Sequence, residues 1–550
     1  MTIKKSLHWD ITKNCNLRCK HCYNADKYFN KESKDYIPNE MTREQCISAV
    51  EAFAAEGFEH IHLLGGEPLA SSNIFDVIKR AKELGMIVTI NSNACLLNQS
   101  IQKKLIDLGV DQFAASLDGC SSQINDSIRG EGTFDNVIRN MKQLNEYKKE
   151  TKSSMETALV FTLTKRNIED LSKLPALAKD MNVDLIVLTT FIESGQGKRN
   201  RDEFQIEFYD LCDAIELMVA SELQNYRIPI QIDMRPRFCE YLSLMYNMPI
   251  IYNTKNSLCC AGEEMWYLEA NGDVHPCLIF QLDSGKKALN NGTYIKESLN
   301  INTSKIFDIK HSIYWDTFIK AKHNFETVKI PTCKDCQYLG ICQPCFLDYG
   351  EYNLPIMECE WTKAKEKKVY KKISQKMVKI NSQVGFDYVT KTIYKSKDPL
   401  LSLDSEISCY IWESLVAGIN IKSILEYLLK QYDVDINELE YDVASFLLKL
   451  REYEIISLED SNNMFYQKKE NLICEQIDDE VIVFDAEKEN FFEFDKVGSF
   501  IWQNIKNTRL EDIVELICKE YKVDVDTATN DVSTFVNELV CQKLVYYTTE

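Results

Sequence analysis

Short hydrophobic runs rich in β-branched residues recur along the first part of the chain, at Leu7–Thr12, Ile61–Leu64, Ile87–Ile90, Gln112–Leu117, Thr157–Leu163 and Asp184–Phe191. Segments with helical patterning separate them. Strands alternating with helices predict repeated βα units built on a parallel sheet. Six units fall short of the eight that close a full barrel. The expected fold class is therefore α/β, a partial (β/α)6 barrel with functional residues just past the carboxyl ends of its strands. Beyond about Arg235 the rhythm breaks into irregular, cysteine-punctuated sequence with short turns at Asn271-Gly272-Asp273 and Asn291-Gly292, ending near Trp361. A fold tied together by metal accounts for that texture. Lys363–Lys379 is basic and helix-favouring and reads as a solvated connecting helix.

The remaining chain repeats itself at an offset of about 90 residues. Ile411-Trp412 matches Ile501-Trp502, Ile424 matches Ile513, Tyr432 matches Tyr521, and Asp442-Val443 with Phe446 match Asp531-Val532 with Phe535. Each copy reads as two strands followed by helices. In the second, Val481–Phe484 and Phe491–Phe494 flank a turn at Ala486–Glu489, and Val497–Asn504, Leu510–Tyr521 and Val525–Lys543 follow. The first has a weaker hairpin, Thr392–Tyr394 and Leu400–Leu403 around Lys397-Asp398-Pro399. Each copy suits a small α+β domain. The patterns divide the chain into 1–235, 236–368, 369–460 and 461–550.

A length of 550 residues accommodates several such domains, and 45% hydrophobic with 27% charged residues is the composition of a folded globular chain. No window approaches the ~18 uninterrupted apolar residues of a membrane span, and the first residues lack a signal-peptide core. A soluble, cytoplasmic protein with no membrane partner is expected. The net charge of −20 repels a phosphate backbone, so no nucleic-acid partner is expected either. The acidity is concentrated at the end, with 20 basic against 34 acidic residues over Lys371–Glu550. Twenty cysteines in a large chain without an export signal point to metal or redox chemistry rather than disulfides.

The cysteine positions sharpen this. Cys15-x3-Cys19-x2-Cys22 follows the first strand, and three thiolates so spaced can hold three corners of a [4Fe–4S] cube while leaving the fourth iron open. A zinc site completed by His21 is the alternative. The second strand runs into Gly65-Gly66-Glu67-Pro68, where two glycines let the backbone approach a ligand and Glu67 can accept from an ammonium group. With these two motifs the sequence resembles the radical S-adenosylmethionine (radical SAM) superfamily over about residues 5–200. The resemblance implies that the methionine part of SAM chelates the unique iron while Gly65, Gly66 and Glu67 hold its amino group, with His21 near the adenine. Ser116-Leu117-Asp118-Gly119 and Ile128-Arg129-Gly130 look like later SAM-contacting segments, which makes Ser116 a candidate for the ribose and Arg129 for the carboxylate. The plain alternative for Arg129 is a surface ion pair.

A second group of cysteines comprises Cys259-Cys260, Cys277 within Gly272-x4-Cys277, Cys333-x2-Cys336-x5-Cys342-x2-Cys345, and Cys359. It is similar to the SPASM extension of radical SAM enzymes, which carries two auxiliary [4Fe–4S] clusters and brings the expected total to three. The resemblance implies that Cys333, Cys336, Cys342 and Cys359 hold the outer cluster and Cys260, Cys277 and Cys345 the inner one, with Cys259 or Cys239 as its fourth ligand. Only Gln343-Pro344 separate Cys342 from Cys345, where that family has three residues. A structural zinc ribbon is the alternative. The tandem repeat resembles the PqqD-like fold, with winged-helix-like α+β domains, most clearly over Asp478–Val545 with its FFEFDKVGSFIW segment. That resemblance implies capture of a leader peptide as an added strand; paired scaffolding domains are the plainer reading. Cys409, Cys474, Cys518 and Cys541 sit in apolar patterns and read as core. Cys95 and Cys120 fall just past barrel strands and are the candidates for hydrogen-atom or proton donation.

These resemblances imply an enzyme, a radical SAM oxidoreductase and maturase of a ribosomally synthesised precursor peptide. It would start with hydrogen abstraction by a 5′-deoxyadenosyl radical and end, by preference, in a thioether cross-link from a peptide cysteine. Carbon–carbon cross-linking, epimerisation and decarboxylation use the same radical start. A sulfatase-maturing type would carry an aspartate after Cys277, where this chain has Leu278. A peptide-binding carrier with structural metal sites is the non-enzymatic alternative. The partners implied are the precursor peptide, bound through its leader, and a low-potential electron donor of flavodoxin or ferredoxin type.

Overall fold

The structure is a computed structural model describing residues 5–33, 36–246, 250–251, 259–278, 299–334, 336, 342–345, 356–374, 376–395, 398–403, 405–453, 455–459, 464–486, 488–542 and 544–549. The Asn291-Gly292 turn and Lys397 lie outside the described residues. The chain divides into two compact units, Met1–Ala364 and Lys365–Glu550.

In the first unit β1 (Ser6–Asp10), β2 (His60–Leu64), β3 (Ile87–Ser92), β4 (Gln112–Ser116), β5 (Glu156–Leu163) and β6 (Leu185–Thr190) lie side by side in sequence order and all parallel. Their alternate positions diverge sharply. Leu7, Trp9, Ile61, Leu63, Val88, Ile90, Phe113 and Phe161 are fully buried and face the helical layer. The opposite positions carry Ser6, His8, Asp10, His60, His62, Thr89, Asn91, Ser116, Thr162 and Thr189. These polar positions border a cavity, beside a small apolar cluster of Ala114, Ala158, Val160 and Leu185 on the same face. At its base, burial, reinforced by His62 and His60, holds the His8 imidazole well below its ordinary value, so it stays neutral.

The sheet runs past the six expected strands. Short β7 (Ile230–Ile232) and β8 (Ile250–Ile251) continue it in parallel beyond β6. On the other edge β9 (Met265–Leu268) pairs in parallel with β1, followed by antiparallel β10 (Asp273–His275) and β11 (Leu299–Asn300). Part of the cysteine-rich region thus completes the barrel sheet. A buried network fixes this join: Asp10 accepts from Asn24 Nδ2 at 3.3 Å and from the hydroxyls of Tyr28 and Tyr267, and Lys27 pairs with Glu269 at 2.6 Å. The connecting helix is Met357–Ile373, displaced from the expected Lys363–Lys379 because Met377 already opens a strand.

The second unit contains two copies of one pattern. In the first, β12 (Met377–Ile380) pairs antiparallel with the closing strand β16 (Ile456–Glu459), around the meander β13 (Val384–Asp387), β14 (Thr392–Lys395) and β15 (Asp398–Ser402) and three helices. In the second, β17 (Met464–Lys468) pairs with β21 (Thr508–Arg509) and β22 (Val545–Thr549), around β18 (Ile473–Ile477), β19 (Glu480–Asp485) and β20 (Asn490–Phe494). Each copy therefore has three meander strands and a strand clasp, where the pattern predicted two strands. All five residues of β18 are exposed, Cys474 among them, so that strand carries no alternating signal and Cys474 is not a core residue. The repeated positions form the cores: Ile411, Trp412, Ile424 and Val443, and correspondingly Ile501, Trp502, Ile513 and Val532, are each no more than 3% exposed.

Candidate active site

The loop after β1 carries Cys15, Cys19 and Cys22, and four neighbouring loops grip it. Gly66 N–H donates to Thr12 O and Glu67 N–H to Asn14 O, both at 2.8 Å. A Cβ on Gly65 would lie 2.5 Å from Thr12 O and one on Gly66 2.4 Å from Asn14 O. These glycines are required by the approach of one loop to another, and both also line the cavity onto which the triad faces. Glu67 is likewise engaged by the protein. Its carboxylate has no exposed surface and accepts from Ser92 Oγ (2.7 Å), Leu69 N–H (3.0 Å) and Asn93 N–H (2.7 Å). It locks the ends of β2 and β3 together rather than presenting an oxygen to an ammonium group. Asn93 then passes the restraint on, donating to Asn16 Oδ1 at 2.8 Å and approaching Cys15 Sγ at 3.9 Å.

On the other side of the loop, Lys20 N–H donates to Ile128 O at 2.9 Å and Gln196 N–H to Cys22 O at 2.9 Å. Gly195 has φ +54, and its Cβ position lies 2.6 Å from Tyr23 O. The Gly195-Gln196-Gly197 segment after β6 escaped the sequence reading, although a Gly-x-Gly just past a barrel strand was a usable signal. Arg129 is buried, with Nε 2.6 Å from Asp118 Oδ2, and His21 Nε2 lies 3.0 Å from the same oxygen. Burial alone would raise the Asp118 carboxyl, but Arg129 and then His21 hold it well below the usual carboxylate range. Arg129 is therefore not a surface ion-pair partner.

Cys15, Cys19, Cys22, His21, Gly65, Gly66, Ser116 and Arg129 line one cavity of about 920 Å³. Its farther wall includes Asp233, Arg235, Leu278, Cys345 and Glu358. The last of these went unnoticed in the sequence, because nothing local distinguishes it from a surface acid. Glu358 is 5% exposed, its Oε2 has no hydrogen-bond partner, and burial raises its carboxyl. Cys95 and Cys120 do not line this cavity. The Cys120 thiol lies against Asp170 O at 3.4 Å and burial pushes it up to about 12, while burial pushes Cys95 up to about 11. Cys95 nevertheless lies within electrostatic reach of Glu67, Arg129 and Cys15.

The remaining cysteines fall into two groups. Cys333 and Cys359 pack together with Ile330, Ile356 and Phe325, and Cys336 and Cys342 act electrostatically on both. Cys259, Cys277 and Cys345 pack around Ala261 and Phe318, and Cys260 adjoins Cys259. Gln343, in the shortened Cys342–Cys345 link, joins the loops: its side-chain oxygen accepts from Cys259 N–H at 3.3 Å and its carbonyl from Arg235 at 3.3 Å. Cys239 stands apart. It has no exposed surface, and its thiol donates to Met234 O at 3.7 Å and lies 3.9 Å from Ile232 O.

The triad fits an iron–sulfur cube. All three thiols are unpaired, partly exposed and face the cavity. Among the described residues no three His, Cys, Asp or Glu side chains converge on a point as a single zinc ion requires, whereas a cube spreads its thiolates over separate irons. Burial pushes Cys19 up to about 12 and Cys22 to about 11, so deprotonation must come from the charge of the bound metal.

A parallel α/β sheet with three thiols and a glycine-braced loop at its open end is the arrangement of a radical SAM domain. Residues 9–174 match the Radical SAM superfamily, and residues 404–456 and 480–545 match Coenzyme PQQ synthesis protein D (PqqD). Residues 9–174 thus form a radical SAM domain, and the two later segments are PqqD domains. It is 28% identical over 227 residues to the pre-heme d1 synthase of Dinoroseobacter shibae, covering 41% of this chain and 52% of that protein. It is 25% identical over 191 residues to the mycofactocin maturase MftC of Mycolicibacterium smegmatis, covering 35% and 45%. The chain thus spans about half the length of these curated relatives. SuiB of Streptococcus suis bound to S-adenosylmethionine aligns with a TM-score of 0.49 at 18% identity, over 65% of this chain and 78% of that one. No helix among the described residues is long and apolar enough to cross a membrane.

Proposed function

We propose that this protein is a radical SAM maturase that modifies a ribosomally made precursor peptide, preferentially by a thioether cross-link from a peptide cysteine. One observation carries the reading: a single cavity runs from the Cys15–Cys19–Cys22 loop to Cys345, in a chain that also bears two PqqD domains. When bound, the cluster and SAM supply the 5′-deoxyadenosyl radical that abstracts hydrogen from the peptide. Cys15, Cys19 and Cys22 hold the cluster, and Gly65, Gly66, His21, Ser116 and Arg129 surround SAM. Cys333, Cys336, Cys342 and Cys359 hold one auxiliary cluster, and Cys259, Cys260, Cys277 and Cys345 the other. On this reading the boundaries near 235, 368 and 460 separate barrel, SPASM region and the two recognition domains.

Leader capture by the second repeat is supported by its edge. Among the described residues β20 pairs only with β19. Its Phe491–Phe494 line a groove of about 730 Å³ with Phe535 and Leu539 of the helix Val525–Cys541. A strand paired on one side, beside a groove with a Phe-rich floor and polar walls that include Asn420 and Glu426 of the first repeat, provides backbone donors together with side-chain pockets. Leu278 on the cavity wall disfavours the sulfatase-maturing reading, which needs a carboxylate there. The test is anaerobic incubation of reconstituted protein with SAM, reductant and a short cysteine-bearing precursor peptide, sought among the reading frames neighbouring its gene. Deoxyadenosine formation and loss of two hydrogens per cross-link are expected. Deoxyadenosine without any change in peptide mass would overturn the thioether proposal.

A further inference from the structure

The helix Ile313–His323 packs against the loop that carries Cys259 and Cys260. Every carbonyl from Cys259 to Gly262 is taken by a donor. Lys322 Nζ donates to Cys259 O at 3.0 Å and to Ala261 O at 3.1 Å, Met265 N–H donates to Cys260 O at 3.0 Å, and Trp315 Nε1 donates to Gly262 O at 2.9 Å. The Gly262 N–H donates in turn to Pro276 O at 3.0 Å, beside Cys277. Gly262 has φ +76, and a Cβ there would meet Ile319 Cδ1 at 2.9 Å, so loop and helix touch with no side chain between them. The stretch before Cys345 is held by the same residue of the helix: Gln343 Nε2 donates to Lys322 O at 3.3 Å. Lys322 is 3% exposed, whereas Glu263, which pairs with its ammonium and also with His323 Nε2, is 48% exposed. Water screens the carboxylate more than the buried ammonium, so the pair leaves a positive field on the cysteine side. Burial raises the Cys259 thiol, and a bond from the Ala261 N–H and the Lys322 charge act against it.

We propose that Lys322 is the positioning residue that sets the reduction potential of the inner iron–sulfur cluster. The inference rests on the reading of Cys259, Cys260, Cys277 and Cys345 as the ligands of that cluster. Two effects of Lys322 act in the same direction. Its ammonium favours the reduced form, which carries one more negative charge, and its grip on the carbonyls of Cys259 and Ala261 turns the opposite, N–H side of the loop toward the sulfurs. Reduction adds one electron; no bond forms or breaks, and the ammonium keeps its protons. The consequence bears on the cavity, because Cys345 lines it. A carbon radical that joins a thiolate leaves one surplus electron, and a raised potential on this side of the cavity makes its acceptance downhill.

The test is a redox titration followed by electron paramagnetic resonance, on full-length reconstituted protein in which Cys15, Cys19 and Cys22 are replaced by Ala so that only auxiliary clusters remain. The inner signal is the one that Cys277→Ala removes. Lys322→Met should shift its oxidised-to-reduced ratio at a fixed potential about tenfold toward the oxidised form, equivalent to about 59 mV for a one-electron couple, with the outer signal unmoved. Lys322→Arg should restore most of the parent value. Glu263→Gln removes a negative charge and should shift the ratio the other way, by less because that carboxylate is screened. Shifts of the same sign in the Met and Gln variants, or an inner potential indifferent to both, would overturn the inference. If Lys322→Met takes up no inner cluster, Glu263→Gln decides alone: a shift toward the reduced form supports the inference and no shift overturns it. A parent spectrum from which Cys277→Ala removes nothing would instead overturn the reading of these cysteines as cluster ligands.

Discussion

Glu67→Gln tests whether the buried carboxylate holds loops or ligand. The native side chain accepts three hydrogen bonds, from Ser92 Oγ and Leu69 N–H on one oxygen and Asn93 N–H on the other. A glutamine of the same size can turn its oxygen toward Ser92 and Leu69, but its NH₂ then faces the Asn93 N–H. One charge-assisted bond is lost and two donors oppose each other with no water to relieve them. A buried donor left without a partner costs about 1–3 kcal/mol, and a bond to a charged group contributes about 1.5–3 kcal/mol. The barrel unit should therefore lose about 2–4 kcal/mol. The assay is urea unfolding of the metal-free protein followed by tryptophan fluorescence, where Trp9 and Trp266 report on the barrel sheet. SAM affinity should fall only as far as the triad loop loosens. Unchanged unfolding combined with a large loss of SAM binding would refute the scaffold role and restore the ammonium contact.

Gly66→Ala places a methyl 2.4 Å from Asn14 O, so insoluble protein or a loss of at least about 2 kcal/mol is expected by the same unfolding assay. Asp118 sits below its ordinary pKa, so its stabilisation is present above the unfolded value of ~3.9 and is lost as pH falls below it; Asp118→Asn should flatten the acid limb of an unfolding-versus-pH curve for metal-free protein. Anaerobic reconstitution should give about twelve irons per chain, four for each of three cubes, and about four would sink the auxiliary assignment. Phe535→Ala should weaken capture of labelled precursor peptide several-fold while leaving SAM cleavage intact, as read by fluorescence anisotropy.

The strand–helix rhythm of the barrel was legible because its outward positions are uniformly apolar, from Leu7 and Trp9 to Phe161. The triad and the Gly65–Glu67 segment were legible because each is contiguous. What escaped was the partnership between segments. Asp118 ties His21 to Arg129 across three loops, and no spacing within one loop announces it. Glu67 was visible as a carboxylate, but only the positions of Ser92 and Asn93 show that its oxygens are already committed. The far wall of the cavity joins Asp233, after β7, with Glu358, before Cys359, and short β7 left no pattern to place it. In the repeats, β13 contains Gly385 and β18 is exposed throughout, so neither carries the alternation that marks a half-buried strand.

The cysteine that completes the inner group can be decided by a paired substitution. Sequence alone left Cys259 and Cys239 equivalent, since either is a thiol near the others in the chain. In the fold they differ in every relevant respect. Cys259 packs with Cys277 and Cys345, its N–H is fixed by Gln343, and Lys322 Nζ donates to its carbonyl at 3.0 Å. Cys239 is sealed in the helix Pro236–Tyr246, with its thiol donating to a backbone carbonyl, and burial pushes it well above the ordinary thiol value. A thiol so placed gains nothing from metal unless the helix moves. Cys239→Ala should therefore keep the full iron content and the parent electron paramagnetic resonance spectrum, while losing about 1 kcal/mol of stability from the vacated sulfur volume. Cys259→Ala should lower the iron content and alter or remove one auxiliary signal, with the SAM-binding cluster intact. The opposite pattern, iron lost with Cys239 and kept without Cys259, would show that the loop and helix rearrange on loading and that Cys239 is the ligand.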